Sequence, residues 1–178
     1  MNTVQYLIAG FGGQGILFAG KFLAYKGLNM DKNVSWLPSY GPEMRGGPAS
    51  CSVIVRDIPV GSPIVSNPDV LIAMNLPSLD KYEDSVVPGG TIYVDSTLIE
   101  RKVRRTDVKV CYIPATKLAN DNKTPTLANM IIMGKVLADN GEFEDDEKVL
   151  EALKKVISAR KADMLEVNLG ALRLGKDY

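Results

Sequence analysis

The 178-residue sequence predicts an α/β fold, a three-layer sandwich in which a mostly parallel sheet carries helices on both faces. Short apolar runs typical of buried strands alternate with helical segments along the chain. The first run, residues 4–9, leads directly into a glycine-rich stretch, and helical periodicity follows it. No internal repeat, low-complexity run or composition shift interrupts this pattern. We therefore expect a single domain over residues 1–178.

The glycine-rich stretch forms the predicted first turn between a strand and a helix. Gly10, Gly12 and Gly15 match the spacing G-x-G-x-x-G. Such glycines let a ligand approach the backbone, and the N-terminus of the next helix offers unpaired N–H groups to an anion. The stretch therefore predicts a Rossmann-like site for a phosphate-bearing ligand; the alternative is a turn that needs glycine for packing alone. A nicotinamide cofactor is not expected, because the second strand, residues 33–37, ends in Pro38-Ser39-Tyr40 and not in an acidic residue.

The first helix is predicted over residues 13–27, with two distinct faces. One stripe should pack on the sheet and consists of Ile16, Gly20, Leu23 and Gly27. The opposite face is more apolar than an ordinary surface and carries Gln14, Phe18, Lys21 and Tyr25. We take as a hypothesis that another subunit or a ligand covers this second face.

A loop is predicted over residues 36–48. It is rich in Gly and Pro, yet it contains Trp36, Tyr40, Met44 and Arg45. A plain linker would be small and polar, so large side chains favour a binding loop. The alternative is a well-packed surface loop.

The remaining elements complete the α/β pattern. Further strands are predicted at residues 49–56, 69–74, 91–95 and 108–113, and residues 58–65 should be an edge strand or an extended loop. A short helix should run from Asn75 toward Tyr82. Three later helices are predicted at residues 126–140, 144–160 and 164–174, the last with Val167, Ala171 and Leu174 or Leu172 on its apolar side. Since ligands bind beyond the carboxyl ends of the strands, the glycine turn, the loop after the second strand and Asn75 should line one crevice.

The amino-acid composition argues against nucleic-acid binding, membrane insertion and metal-dependent catalysis. Positive and negative residues balance at 21 each, so no nucleic-acid partner is predicted. We find no apolar run of membrane-spanning length and no signal-peptide layout, so we expect a cytoplasmic protein without membrane contact. The chain has no histidine, and its two cysteines, Cys51 and Cys111, are predicted to be buried apolar groups. No catalytic residue and no metal ligand is predicted, which favours a binding subunit.

Two stretches resemble a known enzyme family. Residues 10–17, Gly-Phe-Gly-Gly-Gln-Gly-Ile-Leu, and residues 40–47, Tyr-Gly-Pro-Glu-Met-Arg-Gly-Gly, are similar to the gamma subunit of 2-oxoacid:ferredoxin (acceptor) oxidoreductases. Residues 57–63 and 126–130 resemble later family segments, so the likeness covers essentially the whole chain. The stretch at residues 40–47 is the most specific, and it looks like the 2-oxoglutarate and 2-oxoisovalerate (branched-chain) versions.

This resemblance implies a multi-subunit complex that decarboxylates a 2-oxoacid on thiamine diphosphate with Mg²⁺ and forms acyl-CoA. Electrons would pass through iron–sulfur clusters to ferredoxin. Thiamine diphosphate and the clusters are expected on partner alpha, beta and ferredoxin-like delta subunits, and this subunit would contribute coenzyme A binding and docking. Two alternatives stay open: the corresponding subunit of an indolepyruvate oxidoreductase, and a stand-alone nucleotide-binding or sensor domain.

The resemblance and the turn chemistry together nominate the residues that bind coenzyme A: Gly10, Gly12, Gly13, Gln14, Gly15, Lys21, Arg45 and Asn75, with Asn129 as a weaker candidate. Relatives carry a lysine at the spacing of Lys21, although roughly 12 Å of helical rise separates it from the turn. Arg45 is expected to bind a carboxylate or a phosphate as a two-pronged donor; the alternative is a salt bridge to Glu43 or to a partner subunit. A subunit contact that borders the ligand crevice is expected at or near Phe18, Tyr25, Tyr40, Met44 and Arg45. The isolated chain is expected to be a homodimer, because self-association would cover part of the same surface.

Overall fold

The computed structural model describes residues 2–41, 46–143 and 145–178, which contain one sheet of six strands. The strands are β1 (Thr3–Phe11), β2 (Asn33–Tyr40), β3 (Pro48–Arg56), β4 (Val70–Ala73), β5 (Thr91–Asp95) and β6 (Lys109–Ile113). They lie in the order β2-β3-β1-β4-β5-β6. β1, β4, β5 and β6 are parallel, whereas β3 is antiparallel to both of its neighbours, β1 and β2. The predicted mostly parallel sheet is confirmed.

Helices cover both faces of this sheet. They are α1 (Ile16–Leu28), α2 (Leu76–Tyr82), α3 (Ala115–Asp121), α4 (Ala128–Asp139), α5 (Asp146–Val156) and α6 (Asp163–Asp177). Side chains alternate along β1, so Tyr6 and Ile8 join one core cluster with α1 and α4, while Leu7 joins the other with Leu79 of α2. The three-layer arrangement predicted from the sequence is therefore confirmed.

The second strand is longer than predicted. β2 continues through Pro38 to Tyr40, where Tyr40 pairs with Ala49 of β3. Proline is tolerated because β2 lies at the edge of the sheet, where one side of the strand needs no ladder partner. The predicted loop at residues 36–48 is therefore partly strand. Met44 and Arg45 lie outside the residues that the structure describes.

The first helix begins later than predicted, at Ile16, but its buried stripe is correct: Ile16, Gly20, Leu23 and Gly27 are all buried. On the opposite face, Phe18 and Tyr25 are partly buried and pack against the core, and α5 packs along α1. Part of the face that was assigned to another subunit or a ligand is thus covered within the chain.

The predicted apolar side of α6 is correct at Ala171 and Leu172, which are buried, and wrong at Val167. Val167, predicted on the apolar side of α6, is 38% exposed. The buried positions are Asn168, Leu169, Ala171, Leu172 and Gly175. The buried face of α6 is thus rotated relative to the predicted one, and two glycines explain the rotation. A Cβ at Gly134 of α4 or at Gly175 of α6 would lie closer than 3.0 Å to backbone of the other helix. The backbones of α4 and α6 therefore pack directly against each other at these glycines. Because glycine has no apolar side chain, hydrophobic periodicity does not reveal this contact face.

Two further differences concern short segments. Helix α3 was not predicted, since it has only seven residues and follows Pro114 directly. α5 is shorter than the predicted 144–160, because Asp145 caps its start through the N–H of Glu147 and Ile157 is extended. A 3₁₀ turn, Ala159–Lys161, then leads into α6. Residues 58–65 form an extended loop.

Candidate functional site

The glycine turn between β1 and α1 presents backbone N–H groups at the carboxyl end of the central strands. Gly13 and Gly15 have φ angles of +98° and +71°, a region that favours glycine. The first helical hydrogen bond of α1 runs from Ala19 N to Gly15 O, so the N–H groups of Ile16, Leu17 and Phe18 precede the helical ladder. These three amides and the helix dipole can bind an anion.

Gly12, the central glycine of the motif, is engaged with the adjoining loop. Its N–H donates to Gly47 O at 2.8 Å, and Gly46 N donates to Gly12 O at 3.3 Å. These bonds extend the β1–β3 ladder past the end of the strands. The amide of Gly12 is thus already bound, and a phosphate would use the amides at the start of α1.

The predicted ligand-binding residue Gln14 has its side chain directed back onto the backbone. Its Oε1 accepts a hydrogen bond from Phe11 N at 2.6 Å, and its Nε2 donates to Met74 O at 3.0 Å. A Cβ at Gly10 would overlap with the Oε1 of Gln14, so Gly10 makes room for this side chain. Gln14 therefore joins the glycine turn to the end of β4.

Asn129, at the start of α4, joins the turn from the opposite side. Its Nδ2 donates to Gly15 O at 3.0 Å, and a Cβ at Gly15 would overlap with that nitrogen. The side chain of Asn129 is only 4% exposed, and its Oδ1 has no hydrogen-bond partner among the described residues.

Asn75 lies where the sequence placed it, directly after β4. It caps α2, with its Oδ1 accepting from Ser78 N at 2.9 Å. Asn75, Gly10 and Tyr40 line one cavity of 340 Å³, which we call the strand-end cavity. The predicted convergence of these three segments on one crevice is confirmed.

Two more cavities lie next to this one, around the start of α1. The turn cavity, 320 Å³, is bounded by Phe11, the glycine turn, Phe18 and Tyr40. The helix cavity, 690 Å³, lies where α1, α4 and α6 begin and α5 ends. The strand-end and turn cavities share Phe11 and Tyr40, and the turn and helix cavities share Gly15 and Phe18. The three cavities therefore lie next to one another at the carboxyl ends of the parallel strands, the edge at which α/β folds usually bind ligands, and we call them together the groove.

Of the two cations predicted to contact the ligand, Lys21 and Arg45, the structure describes only Lys21. Lys21 is exposed, and its ammonium lies 5.9 Å from the centroid of the Trp36 ring, a cation–π distance. Arg45 lies outside residues 2–41, 46–143 and 145–178, so its predicted role stays a prediction. Of the predicted loop's described residues, Gly46 and Gly47 are hydrogen-bonded to Gly12.

Sequence reasoning missed several residues that line the groove. Lys81 lies in the last turn of α2 and borders the strand-end cavity; Lys161 and Asn168 border the helix cavity. Lys81 and Lys161 resemble ordinary helix-end lysines, so nothing in the sequence marks them. Asn168 interrupts an otherwise apolar stripe of α6, and that polar interruption was the available signal.

Cys51 lies beneath the start of α1, where its thiol donates to Ile16 O with Sγ and O 3.5 Å apart. Burial raises the pKa of Cys51 to about 12. The thiol is therefore protonated at neutral pH and is unsuited to act as a nucleophile.

The part of the chain that the structure describes contains no group of three or more His, Cys, Asp or Glu side chains able to hold a metal ion. None of its helices has the length and apolar character that a membrane crossing requires.

Comparison with known proteins assigns the chain to a family. The sequence model of the pyruvate ferredoxin/flavodoxin oxidoreductase family matches residues 5–178. The ketoisovalerate oxidoreductase subunit VorA of Methanothermobacter thermautotrophicus is 39% identical over 175 residues, which are 98% of this chain and 36% of that protein. The 2-oxoglutarate synthase subunit KorC of Archaeoglobus fulgidus is 34% identical over 175 residues, 98% of this chain and 87% of that protein. The chain thus spans about a third of VorA but most of KorC.

Solved structures show the same fold. The gamma subunit of a keto/oxoacid ferredoxin oxidoreductase from Geobacter sulfurreducens has a TM-score of 0.84 and 26% identity, covering 99% of this chain and 96% of that one. The 2-oxoglutarate:ferredoxin oxidoreductase from Magnetococcus marinus, solved with 2-oxoglutarate, coenzyme A and succinyl-CoA, has a TM-score of 0.88 and 23% identity. The alignment covers 99% of this chain and 31% of that one.

Proposed function

Since this chain belongs to the pyruvate ferredoxin/flavodoxin oxidoreductase family, we propose that it is the gamma-type subunit of a thiamine-dependent 2-oxoacid:ferredoxin oxidoreductase. In this proposal the assembled complex oxidises a 2-oxoacid to acyl-CoA and CO₂ and passes the electrons to ferredoxin. The names of its relatives, KorC and VorA, support 2-oxoglutarate or a branched-chain 2-oxoacid as the substrate.

The subunit's own contribution would be to bind coenzyme A. The observation that carries this proposal is the glycine turn, where the amides of Ile16, Leu17 and Phe18 stand before the helical ladder and beside the turn cavity. Coenzyme A carries a pyrophosphate and a ribose phosphate, which such amides bind well. Lys21, Arg45 and Asn75 remain proposed contacts.

The redox groups would sit on other subunits. Thiamine diphosphate supplies the site at which the 2-oxoacid loses CO₂, and iron–sulfur clusters carry the electrons away. The described residues offer no cluster of metal ligands, and the whole sequence has two cysteines, fewer than the four that an iron–sulfur cluster usually takes. We therefore propose alpha, beta and ferredoxin-like delta subunits as partners, with a homodimer when the chain is alone.

Reconstitution tests the proposal. The chain is mixed with the thiamine-binding and ferredoxin-like subunits, and acyl-CoA formation is measured with 2-oxoglutarate, 2-oxoisovalerate, pyruvate and indolepyruvate. We expect turnover only when the chain is present, and none from the chain alone with a dye as acceptor. Full activity without it would overturn the proposal, and a preference for indolepyruvate would favour the aryl enzyme.

A further inference from the structure

The two edges of the sheet differ in length and charge. β6, at one edge, has five residues and begins with Lys109, and the ammonium of Lys102 lies 4.1 Å from the centroid of its Tyr112 ring. β2, at the other edge, has eight residues, Asn33–Tyr40, and none of them is charged. Proteins usually protect a sheet edge by short length or charge, because its free backbone groups can pair with another strand. By this criterion β6 is protected, whereas β2 is open to pairing.

Alternate residues of β2 direct their backbone groups away from the sheet. The N–H of Gly41 donates to Pro48 O at 2.9 Å, and the register of β2 with β3 runs back from there without a break. In an antiparallel ladder every second residue bonds to the same neighbour, so the even-numbered residues of β2 face outward. These residues are Val34, Trp36, Pro38 and Tyr40. Within residues 2–41, 46–143 and 145–178, β3 is the only strand paired with β2, and no loop backbone bonds to the outward groups.

A second copy of β2 complements this edge in one register. When two copies run antiparallel about a two-fold axis at Leu37, the N–H of Val34 meets Tyr40 O and the N–H of Tyr40 meets Val34 O. The N–H of Trp36 meets Pro38 O. Each bond forms twice by symmetry, so every outward N–H of the strand is used, and Pro38, which has no N–H, serves as an acceptor. Sliding the copies by one pairing step leaves one of these N–H groups without an acceptor inside the strand.

The side chains that oppose each other in this register are also compatible. On the face away from α1, Leu37 meets the same residue of the second copy, and Ser35 lies opposite Ser39. Leu37 is 39% exposed in the single chain, so pairing covers apolar surface. On the other face Tyr40, which is 54% exposed, lies opposite Val34, and such aromatic and β-branched pairs stabilise sheets. No like charges oppose each other, because the strand has no charged residue.

We propose that two copies of the chain pair through β2 as antiparallel edge strands, with Leu37 at the two-fold axis, and so join their sheets into one. This inference rests on the homodimer of the proposed function and assigns an interface to it. Among the residues predicted at a subunit contact, Tyr40 belongs to this interface. The two-fold match of donors, acceptors and exposed apolar side chains favours a second copy over a strand from another subunit.

Charges introduced at the axis give the sharpest test. Leu37→Lys and Leu37→Glu each place like charges directly opposite each other, so each should raise the dissociation constant of the full-chain dimer at least about tenfold in analytical ultracentrifugation. An equimolar mixture of the two variants should recover the dimer, because the introduced lysine then lies opposite the introduced glutamate. Ser39→Lys and Ser39→Glu are the controls, since Ser39 is exposed on the same face but lies off the axis. Their dimers should resemble the wild type, and thermal melting establishes that all four variants fold.

Disulfide trapping tests the register. In a Cys111→Ser background the remaining native thiol is the buried Cys51. Leu37→Cys in this background should form a covalent dimer on mild oxidation, because a residue at the axis lies opposite itself within reach of a disulfide. Ser39→Cys should crosslink at least about tenfold more slowly, because its thiol would face Ser35 of the second copy.

Several results would overturn the inference. They are a monomeric wild-type chain at micromolar concentration, failure of the mixed charge variants to recover the dimer, and equal crosslinking at positions 37 and 39. A monomeric chain whose pull-down of the thiamine-binding subunit is weakened by Leu37→Lys would assign this edge to that subunit instead. Acyl-CoA formation separates these outcomes from the proposed function: turnover with a monomeric chain refutes only the edge pairing, and a β2-paired dimer that supports no turnover on reconstitution refutes only the proposed function.

Discussion

Asn129 and Gly15, 114 positions apart in sequence, are joined by a hydrogen bond of 3.0 Å from the Asn129 Nδ2 to the Gly15 carbonyl. The bond ties the start of α4 to the start of α1. Glycine is needed at position 15 for two reasons. Its φ of +71° is unfavourable for other residues, and a Cβ there would overlap with the side chain of Asn129. The glycine motif thus has a packing role at Gly15, and this role is compatible with the proposed binding of a ligand at the same turn.

The first prediction separates those two requirements. Gly15→Ala should lower the free energy of unfolding by about 1–2 kcal/mol for the left-handed backbone, and by more because its Cβ meets Asn129. Gly13→Ala is the control, since its φ is also positive but nothing lies within 4 Å of a Cβ there. In urea titrations, Asn129→Ala should recover part of the loss in Gly15→Ala and none in Gly13→Ala. Equal losses at both glycines would contradict the steric role of Asn129.

The second prediction concerns the contact between α4 and α6. Gly134→Ala or Gly175→Ala should cost about 3 kcal/mol or more, because each new Cβ would press on backbone that cannot rotate away. Gly170→Ala, in the same helix α6 but facing open space, should be neutral or stabilising by up to about 1 kcal/mol. Thermal melting of the three variants decides the matter. Similar melting temperatures for all three would mean that the helices do not meet across these glycines.

The order of elements could be read from the sequence because it depends on local patterns. Apolar runs, the glycine turn and the helix start at Asn75 each depend on a few neighbouring residues, and the structure confirms all three. The rotation of α6 could not be read in this way. It depends on Gly134 and Gly175 meeting in space, and glycine contributes nothing to a hydrophobic stripe.

At the candidate site, too, features that depend on local sequence were predictable and long-range contacts were not. Three strand ends were expected to converge, and Gly10, Tyr40 and Asn75 do line one cavity. The engagement of Gln14 with Met74 O was not predictable, because it joins residues 60 positions apart. The helix cavity was not predictable either, because it forms where α5 and α6 pack on α1 and α4. The sequence of the glycine motif contains no information about that packing.

The third prediction tests Gln14 as a positioning residue. Gln14→Ala removes the bonds to Phe11 N and Met74 O, and it should cost about 1–3 kcal/mol of stability. Gln14→Glu retains an acceptor for Phe11 N but adds a negative charge beside the proposed anion site. Its Michaelis constant for coenzyme A in the assembled complex should therefore rise more than that of Gln14→Ala, and the excess should shrink at high salt. Identical constants in the two variants would argue against an anion at the turn.

The fourth prediction tests the turn directly. Gly12→Val places a branched side chain where the backbone borders the turn cavity, so the Michaelis constant for coenzyme A should rise at least about tenfold, a loss of about 1.4 kcal/mol. Gly61→Val is the control, because Gly61 lies in open space on an exposed loop. Subunit pull-down and melting temperature establish that both variants fold and assemble. An unchanged constant in a folded, assembled Gly12→Val complex would exclude a phosphate role for this turn.

The last prediction concerns pH and follows from Cys51. Burial raises the pKa of its thiol to about 12, whereas a thiol in the unfolded chain titrates near about 8.5. Deprotonation therefore favours the unfolded state, and the stability that the buried thiol contributes is fully present below about pH 8.5 and is lost as pH rises toward 12. Between pH 7.5 and pH 10 this group should remove about 2 kcal/mol from the free energy of unfolding.

The variant Cys51→Ala tests this pH dependence. It should be less stable than the wild type at pH 7.5, but its free energy of unfolding should fall less between pH 7.5 and pH 10. Tyr6 and Tyr93, whose pKa values are also raised by burial, add to alkaline sensitivity in both proteins. Urea titrations at the two pH values measure the difference, with iodoacetamide labelling of Cys111→Ser at pH 8 as an independent check. Rapid labelling of Cys51 in that folded variant, or parallel pH profiles for wild type and Cys51→Ala, would show that the thiol is not buried beneath α1.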